Sequence, residues 1–226
     1  MNRRLLRELS ALLYPVRCPV CNDFIFANDS FCTECAEKLV RYSGSFKVRG
    51  SAGSTAAFLY NEAISPAIML MKDGIMGNAP YALGGELAVR IREAGMDSAD
   101  LLIPVPLSRE SLEERITNQS LCIAEEVGLR LGIPVCGTAV VKSAETLPQK
   151  ELNKHQREVN LHGAFTVAEP EIIAGKTIIL IDDVCTTGST LAEVTDTLIS
   201  AGAGKVYCAC ACKTPELQAD DETTEV

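Results

Sequence analysis

Two carboxylates stand side by side at Asp182 and Asp183. Four aliphatic residues, Ile178 to Ile181, precede them, and the run Val184-Cys185-Thr186-Thr187-Gly188-Ser189-Thr190 follows. Successive amide N–H groups in such a small-residue turn form a concave anion nest. A helix starting near Ser189 adds its own N-terminal amides and partial positive charge. The hydroxyls of Thr186, Thr187, Ser189 and Thr190 offer further donors, and Gly188 admits positive φ or close backbone approach. Cys185 lies in the same turn with no base beside it in sequence, so nothing there activates it as a nucleophile. The run lacks the lysine and spacing of GxxxxGK[ST] and is not a Walker A loop. The two acids accept hydrogen bonds from vicinal hydroxyls. Together the elements fit a ribose 5-phosphate, its phosphate on residues 185–190 and its hydroxyls on Asp182 and Asp183. The competing reading makes Asp183 a turn cap and Asp182 a solvated acid. It explains one acid and not the donor-rich loop beside the pair.

A second constellation lies near the N-terminus. Cys18-Pro-Val-Cys21 is followed, after ten residues, by Cys32-Thr-Glu-Cys35. Two CxxC pairs at this separation bring four thiolates tetrahedrally around Zn²⁺. So small a module has almost no apolar core, whereas metal binding supplies an apparent ~10–16 kcal/mol. Four protein thiolates leave no open coordination position, so the zinc is structural rather than catalytic. An iron–sulfur cluster and four buried thiols are the alternatives. Of the other cysteines, Cys208, Cys210 and Cys212 alternate with Tyr207, Ala209 and Ala211, which places them on one strand face as small apolar filling.

The elements that position these groups follow from hydrophobic patterning. Candidate strands at Ala56–Tyr60, "DLLIPVP", "IPVCGTAVVK", "GKTIILIDD" and "KVYCACAC" alternate with amphipathic helices at Ile64–Met71, Ala82–Glu93, Asn118–Leu131 and Ser189–Ala201. This alternation predicts an α/β fold, a mainly parallel sheet flanked by helices, with ligands at the carboxyl ends of strands. The expected organisation is an N-terminal helix and zinc-binding module at 1–45, a Ser/Gly-rich connector at 46–54, the α/β domain at 55–214 and an acidic, disordered tail at 215–226. The polar stretch 142–163 reads as a functional loop.

The chain has 226 residues, 47% hydrophobic and 23% charged, with net charge −9. Residues 1–50 hold eight basic and five acidic side chains, leaving 13 basic and 25 acidic for the remainder. The acidic body disfavours broad binding to nucleic-acid phosphates, though a basic N-terminal groove stays open as a contact for single-stranded DNA. Only Phe24, Phe26 and Phe31 near the cysteines would serve it as stacking platforms. No apolar run approaches the roughly 20 residues of a membrane span. The start, MNRRLLRELSALLYP, is a poor signal peptide, since Glu8 interrupts its apolar region. Leu5, Leu6, Leu9, Leu12 and Leu13 share one face and predict a packing helix. Ten cysteines without a secretion signal point to a reducing, cytoplasmic location.

Residues 178–190 resemble the signature of type I phosphoribosyltransferases: four aliphatics, two acids and a TTGxT phosphate loop. The four-cysteine module, Pro104-Val105-Pro106-Leu107, Asn118-Gln119, and a "Q…R..N..GAF" pattern at Gln149, Arg157, Asn160 and Gly163-Ala164-Phe165 narrow the resemblance to the ComF family. That family includes competence proteins needed for DNA uptake. The resemblance implies a phosphoribosyltransferase that binds 5-phosphoribosyl 1-diphosphate (PRPP), usually with Mg²⁺, and works with a partner of the competence machinery. It implies catalytic roles for Asp182 and Asp183, and substrate contacts from Cys185 to Thr190. Arg109 or Lys72 would face the diphosphate, with Arg115 nearby. The chain departs from the family at Arg115-Ile116-Thr117, where a Gly-aromatic pair is usual, and at Met71-Lys72-Asp73-Gly74, which lacks its aromatic residue. A non-catalytic adaptor that senses a phosphate or nucleotide, or binds single-stranded DNA, is the alternative function.

Overall fold

The computed structural model describes residues 3–107, 117–142 and 163–215. In chain order its elements are α1 (Arg3–Ala11), α2 (Thr33–Lys38), β1 (Ser54–Leu59), α3 (Ser65–Lys72), α4 (Ala79–Glu93), β2 (Leu101–Pro104), α5 (Gln119–Leu131), β3 (Val140–Lys142), β4 (Phe165–Val167), α6 (Pro170–Ile173), β5 (Thr177–Cys185), α7 (Ser189–Ser200) and β6 (Lys205–Lys213).

Four strands form one parallel sheet in the order β1-β6-β5-β2. The central strands β5 and β6 are near-continuous apolar runs because both of their faces are covered. Ile178 through Ile181 and Cys208 through Cys212 are fully buried. The α/β architecture expected from the alternation of elements is the one observed. One face is covered by α3, α4 and α5, the other by α7 and the antiparallel hairpin β3–β4. Gly84 allows α4 to approach α5 closely: a Cβ there would lie 2.7 Å from the Cβ of Glu126 and 3.0 Å from the Ile123 carbonyl.

Three details differ from the sequence pattern. First, β5 does not end at the acids. Pairing continues to Cys185 opposite Lys213, because β6 runs equally far beside it. Asp182 and Asp183 therefore sit on a held strand rather than a turn. Second, the three alternating cysteines divide: Cys208 and Cys210 pack on the α7 side, and Cys212 joins the opposite cluster with Phe58, its partner across β1. Third, the leucine face of α1 points outward, with Leu5 48%, Leu12 80% and Leu13 79% exposed. The helix is held from its other side. Arg7 Nε donates to the Ala27 carbonyl (2.8 Å), Nη2 donates to Asn78 Oδ1 (2.8 Å), and the guanidinium lies 3.5 Å from the Tyr81 ring centroid.

The cysteine module shares a core with the sheet. Cys18, Phe31, Cys35 and Leu39 pack in the same cluster as Phe58, Leu83 and Leu87, and Phe31 meets Phe58 edge-on at 5.8 Å. Among the described residues no helix is long and apolar enough to cross a membrane.

Candidate functional site

The carboxyl ends of β2 and β5 and the end of α3 are drawn together by the first residues of α5. Asn118 caps that helix, its Oδ1 accepting from the amides of Ser120 (2.9 Å) and Leu121 (3.4 Å), as a good N-cap residue does. Its Nδ2 donates to the Val105 carbonyl (3.0 Å), just beyond β2. Buried Gln119 donates from Nε2 to the carbonyls of Met71 (2.9 Å) and Thr117 (3.1 Å), fixing the last turn of α3. Ser120 Oγ donates to Asp182 Oδ1 (3.1 Å). Three consecutive side chains thus tether β2, α3 and β5. Ser120 is a site residue that the sequence reading missed; its partner lies 62 positions away, and only its place after Asn118-Gln119 could have pointed to it.

Asp182 Oδ1 also accepts the Asp183 amide (2.9 Å). Asp183 Oδ1 accepts the Val184 amide (2.7 Å), while Oδ2 lies 3.7 Å from Lys72 Nζ. Lys72 therefore reaches the acid pair, brought there by the end of α3. Loss of solvent around half-buried Asp182, together with the charge of Asp183, raises its carboxyl well above the ordinary carboxylate range. The backbone amide and Ser120 hydroxyl oppose that rise but do not cancel it.

Beyond the acids, Gly188 takes φ +80° and stands at the cap position of α7, where it offers no side chain; Thr187 Oγ1 accepts the Ser189 amide at 3.4 Å. The hydroxyls of Thr187 and Ser189 bond each other at 2.9 Å. A Cβ on Gly188 would stand 3.8 Å from both Cys185 Sγ and Val48 Cγ2, so the turn rests on a packed floor. Cys185 is part of that floor. Its thiol is buried, and a hydrogen bond from Cys210, aided by the charge of Lys213, lowers its pKa against the opposing effect of burial. Thr186 and Thr187 are exposed; Ser189 and Thr190 are half-buried. Underneath, buried Lys213 donates from Nζ to the carbonyls of Thr186 and Thr214 (2.9 Å each). This lysine braces the turn from its carbonyl side, leaving the amide side to a ligand. The sequence reading missed it because it closes an apolar strand. Arg109 and Arg115, like Gln149, Arg157 and Asn160, lie outside the described residues.

The four N-terminal cysteines converge. The sulfurs of Cys18, Cys21, Cys32 and Cys35 all lie within 4.8 Å of one another, and Cys21 and Cys32 are 3.6 Å apart. A tetrahedron with Zn–S near 2.3 Å has edges of about 3.8 Å, so the set fits zinc. A knuckle turn aims the first pair: the Cys18 amide donates to Asp23 O (2.8 Å), the Asn22 amide to Cys18 O (2.9 Å), and Asn22 adopts φ +67°. Burial raises the Cys18 thiol, but amides of Cys21, Cys32 and Val20 outweigh it and bring it to about 7. Cys18 is thus disposed to the thiolate a metal needs, whereas burial and the neighbouring thiols push Cys35 up.

Comparison with known proteins agrees with both constellations. Residues 116–226 match the phosphoribosyl transferase domain family, and residues 9–46 match the double zinc ribbon domain family. Within 9–46 this chain holds one set of four cysteines. The chain is 31% identical over 159 residues to the DNA utilization protein YhgH of Shigella flexneri, covering 69% of each protein. It is 32% identical over 108 residues to Competence protein F of Haemophilus influenzae, covering 47% of each. Among solved structures, a purine phosphoribosyltransferase from Pyrococcus horikoshii Ot3 is similar over 58% of this chain and 70% of that one, with 20% identity and a TM-score of 0.36.

Proposed function

Since the chain belongs to the ComF family, with a phosphoribosyltransferase-type domain behind a zinc ribbon, we propose that its strand-tip site binds a ribose 5-phosphate ligand, PRPP foremost, in a process that uses DNA. The observation that carries this reading is the acid pair Asp182–Asp183 followed by a hydroxyl-rich turn that leads into a helix start at Gly188, φ +80°, whose cap position bears no side chain. Residues 186–190 take the 5-phosphate on backbone amides and hydroxyls. Asp182 and Asp183 accept the ribose hydroxyls. Ser120 orients the first acid and Lys72 holds the second until the ligand arrives. Mg²⁺, were it to arrive with PRPP, would add positive charge beside the diphosphate.

In the transfer reaction the C1–oxygen bond of PRPP breaks and diphosphate leaves with the bonding pair. A nitrogen nucleophile forms the new bond to C1, and its proton passes to the departing diphosphate or to solvent. Lys72 and Arg109 are the side chains assigned to the developing negative charge. The test is titration calorimetry of PRPP with Mg²⁺, followed by diphosphate release against a panel of bases and amines. Loss of a hydrogen bond to a charged acceptor costs roughly 1.5–3 kcal/mol, so Asp183→Asn should bind PRPP at least tenfold more weakly. Equal affinity in the two proteins refutes the ribose role.

A second reading, an adaptor that binds single-stranded DNA, draws on one feature of the zinc module. Phe24 (64% exposed) and Phe26 (83% exposed) stand at the first knuckle, with the Arg17 guanidinium 3.9 Å from the Phe24 centroid. Phe31 is buried against Phe58 and offers no platform. Salt-sensitive retention of oligothymidine that is lost in a Phe24→Ala, Phe26→Ala double variant and indifferent to PRPP would favour it.

A further inference from the structure

A groove of 360 Å³ runs along the seam between the zinc module and the α/β domain, on a surface that the strand-tip site does not use. One wall is the chain leaving α1, Tyr14, Pro15 and Val16. The facing wall is Leu70 on α3 with Ile75 and Met76 from the turn before α4. The groove opens beside the outward leucine face of α1, where Leu12, Leu13 and Tyr14 are each about four-fifths exposed, and Ile75 is 58% exposed. Exposed large apolar side chains around a groove mark interaction sites.

Two of the polar side chains that line the groove, Arg7 and Asn78, are bonded to the protein. Arg7 is bonded to Ala27 and Asn78, and Asn78 Nδ2 donates to the carbonyls of Asp29 (3.0 Å) and Ser30 (3.2 Å). Arg17 Nη1 donates to Asn22 O (2.9 Å). The walls themselves, Pro15, Val16, Leu70, Ile75 and Met76, are apolar and suit apolar side chains better than a small polar molecule. Apolar contact must carry the binding, and charge acts on it without dedicated hydrogen bonds. That charge has one sign. Two arginines line the groove and no acidic residue does. The rest of the chain beyond residue 50 is strongly acidic, with 25 acids against 13 bases, so this seam stands out as a basic apolar strip on an acidic protein.

We propose that the groove is the docking site for a segment of a partner protein that carries large apolar side chains flanked by carboxylates. The apolar anchors enter between Tyr14 and Ile75, and the carboxylates lie toward Arg7 and Arg17. A second copy of this chain fits less well, because in a symmetric pair the basic strip of one copy would face the basic strip of the other. Nucleic acid is disfavoured here as well: the groove itself offers a single aromatic ring, Tyr14, and aliphatic walls.

The test uses the zinc-loaded full chain as bait for a display library of random 16-residue peptides, and then measures selected peptides by fluorescence anisotropy. Ile75→Glu and Tyr14→Glu are the variants, since both positions are exposed and tolerate a charge without entering the core. Zinc content and melting temperature serve as folding controls. The expected result is enrichment of peptides with paired large apolar residues and Asp or Glu. Their binding should weaken at least tenfold in either variant and fall as salt rises. Four outcomes overturn the proposal: no enrichment, enrichment of basic peptides, binding indifferent to both variants, or a surface taken by something else. The last is read directly, as oligothymidine binding lost in Ile75→Glu or as a concentration-dependent dimer in sedimentation abolished by it. None of these readouts involves PRPP, so the result is independent of the strand-tip reading.

Discussion

Replacing Asp182 by Asn should make the protein more stable and its stability less dependent on pH. Both hydrogen bonds to the Asp182 side chain, from Ser120 Oγ and from the Asp183 amide, end on Oδ1. An Asn places a carbonyl oxygen at that atom and keeps both. What it removes is a charge set in a half-dehydrated position beside Asp183, the cause of the raised carboxyl pKa. The sign follows from proton counting. The folded chain holds this proton more tightly than the unfolded chain, whose carboxylate titrates near 4. Between that pH and the raised folded value, folding binds a proton, so stability falls as pH rises, by at most about 1.4 kcal/mol per pH unit for one group. Above the folded value the penalty is complete and constant. For a chain of this size 1 kcal/mol corresponds to roughly 2–4 °C, so the wild type should lose up to about 3–5 °C per pH unit relative to Asp182→Asn across that window. Thermal melts of both proteins from pH 4 to 8 at matched zinc content measure it, because thiolate protonation then cancels in the difference. Parallel melting curves at every pH, or a variant less stable at pH 8, would refute the argument. The same variant should lose ribose binding, a cost in function for the gain in stability.

Chelating the zinc should cost far more than a loose appendage would. Cys18, Cys35 and Phe31 pack in the cluster that contains Phe58 and α4. Metal removal, or Cys32→Ala, should therefore lower the melting temperature of the whole chain by roughly 10 °C or more, checked by calorimetry alongside metal analysis showing one zinc per chain. Gln119→Leu keeps the volume but leaves the Met71 and Thr117 carbonyls without their donor. Urea unfolding should show a loss of about 1–3 kcal/mol, with PRPP affinity falling further as the end of α3 and Lys72 drift from Asp183.

Where chemistry was written in contiguous residues, the sequence was readable. The run of four aliphatics, two acids and a Gly-bearing turn becomes one strand, one turn and one helix start, because each link is a local backbone preference. The CxxC pairs were equally legible, since a knuckle needs only its own two-residue spacer. What escaped depended on packing across long intervals. Ser120 finds Asp182 only because α5 lies over β5, and Lys213 finds Thr186 only because β6 runs past the turn. The leucines of α1 misled for a related reason. Their period predicts a packing face, but the module's own interior is occupied by Phe31 and the cysteines, and the docking of Arg7 to Tyr81 and Asn78 turns that face outward. Asn118 and Gln119 entered the sequence reading as a family motif. Their bonds show a mechanical role, capping α5 while tying it to β2 and α3.

The charges at the strand tips set a condition on any ligand. Two acids, Asp182 and Asp183, face two described bases that are already engaged: Lys72 lies against Asp183, and Lys213 is spent on the carbonyls of Thr186 and Thr214. These four groups balance. The start of α7 and the turn before it contribute partial positive charge sufficient for one phosphate. A diphosphate at the other end of the sugar needs more than the single charge Lys72 brings when it leaves Asp183. The sequence carries further bases at Arg109 and Arg115, but Glu110, Glu113 and Glu114 accompany them. A divalent cation is one source of concentrated charge, beside Lys150, Lys154 and Arg157 of the polar stretch 142–163. If the strand-tip reading holds, removing Mg²⁺ should weaken PRPP by tenfold or more in calorimetry and leave ribose 5-phosphate almost untouched, because only the first ligand has a second anionic end. Equal sensitivity of the two ligands would mean that the metal acts at the 5-phosphate, and the division of labour between turn and cation would be wrong.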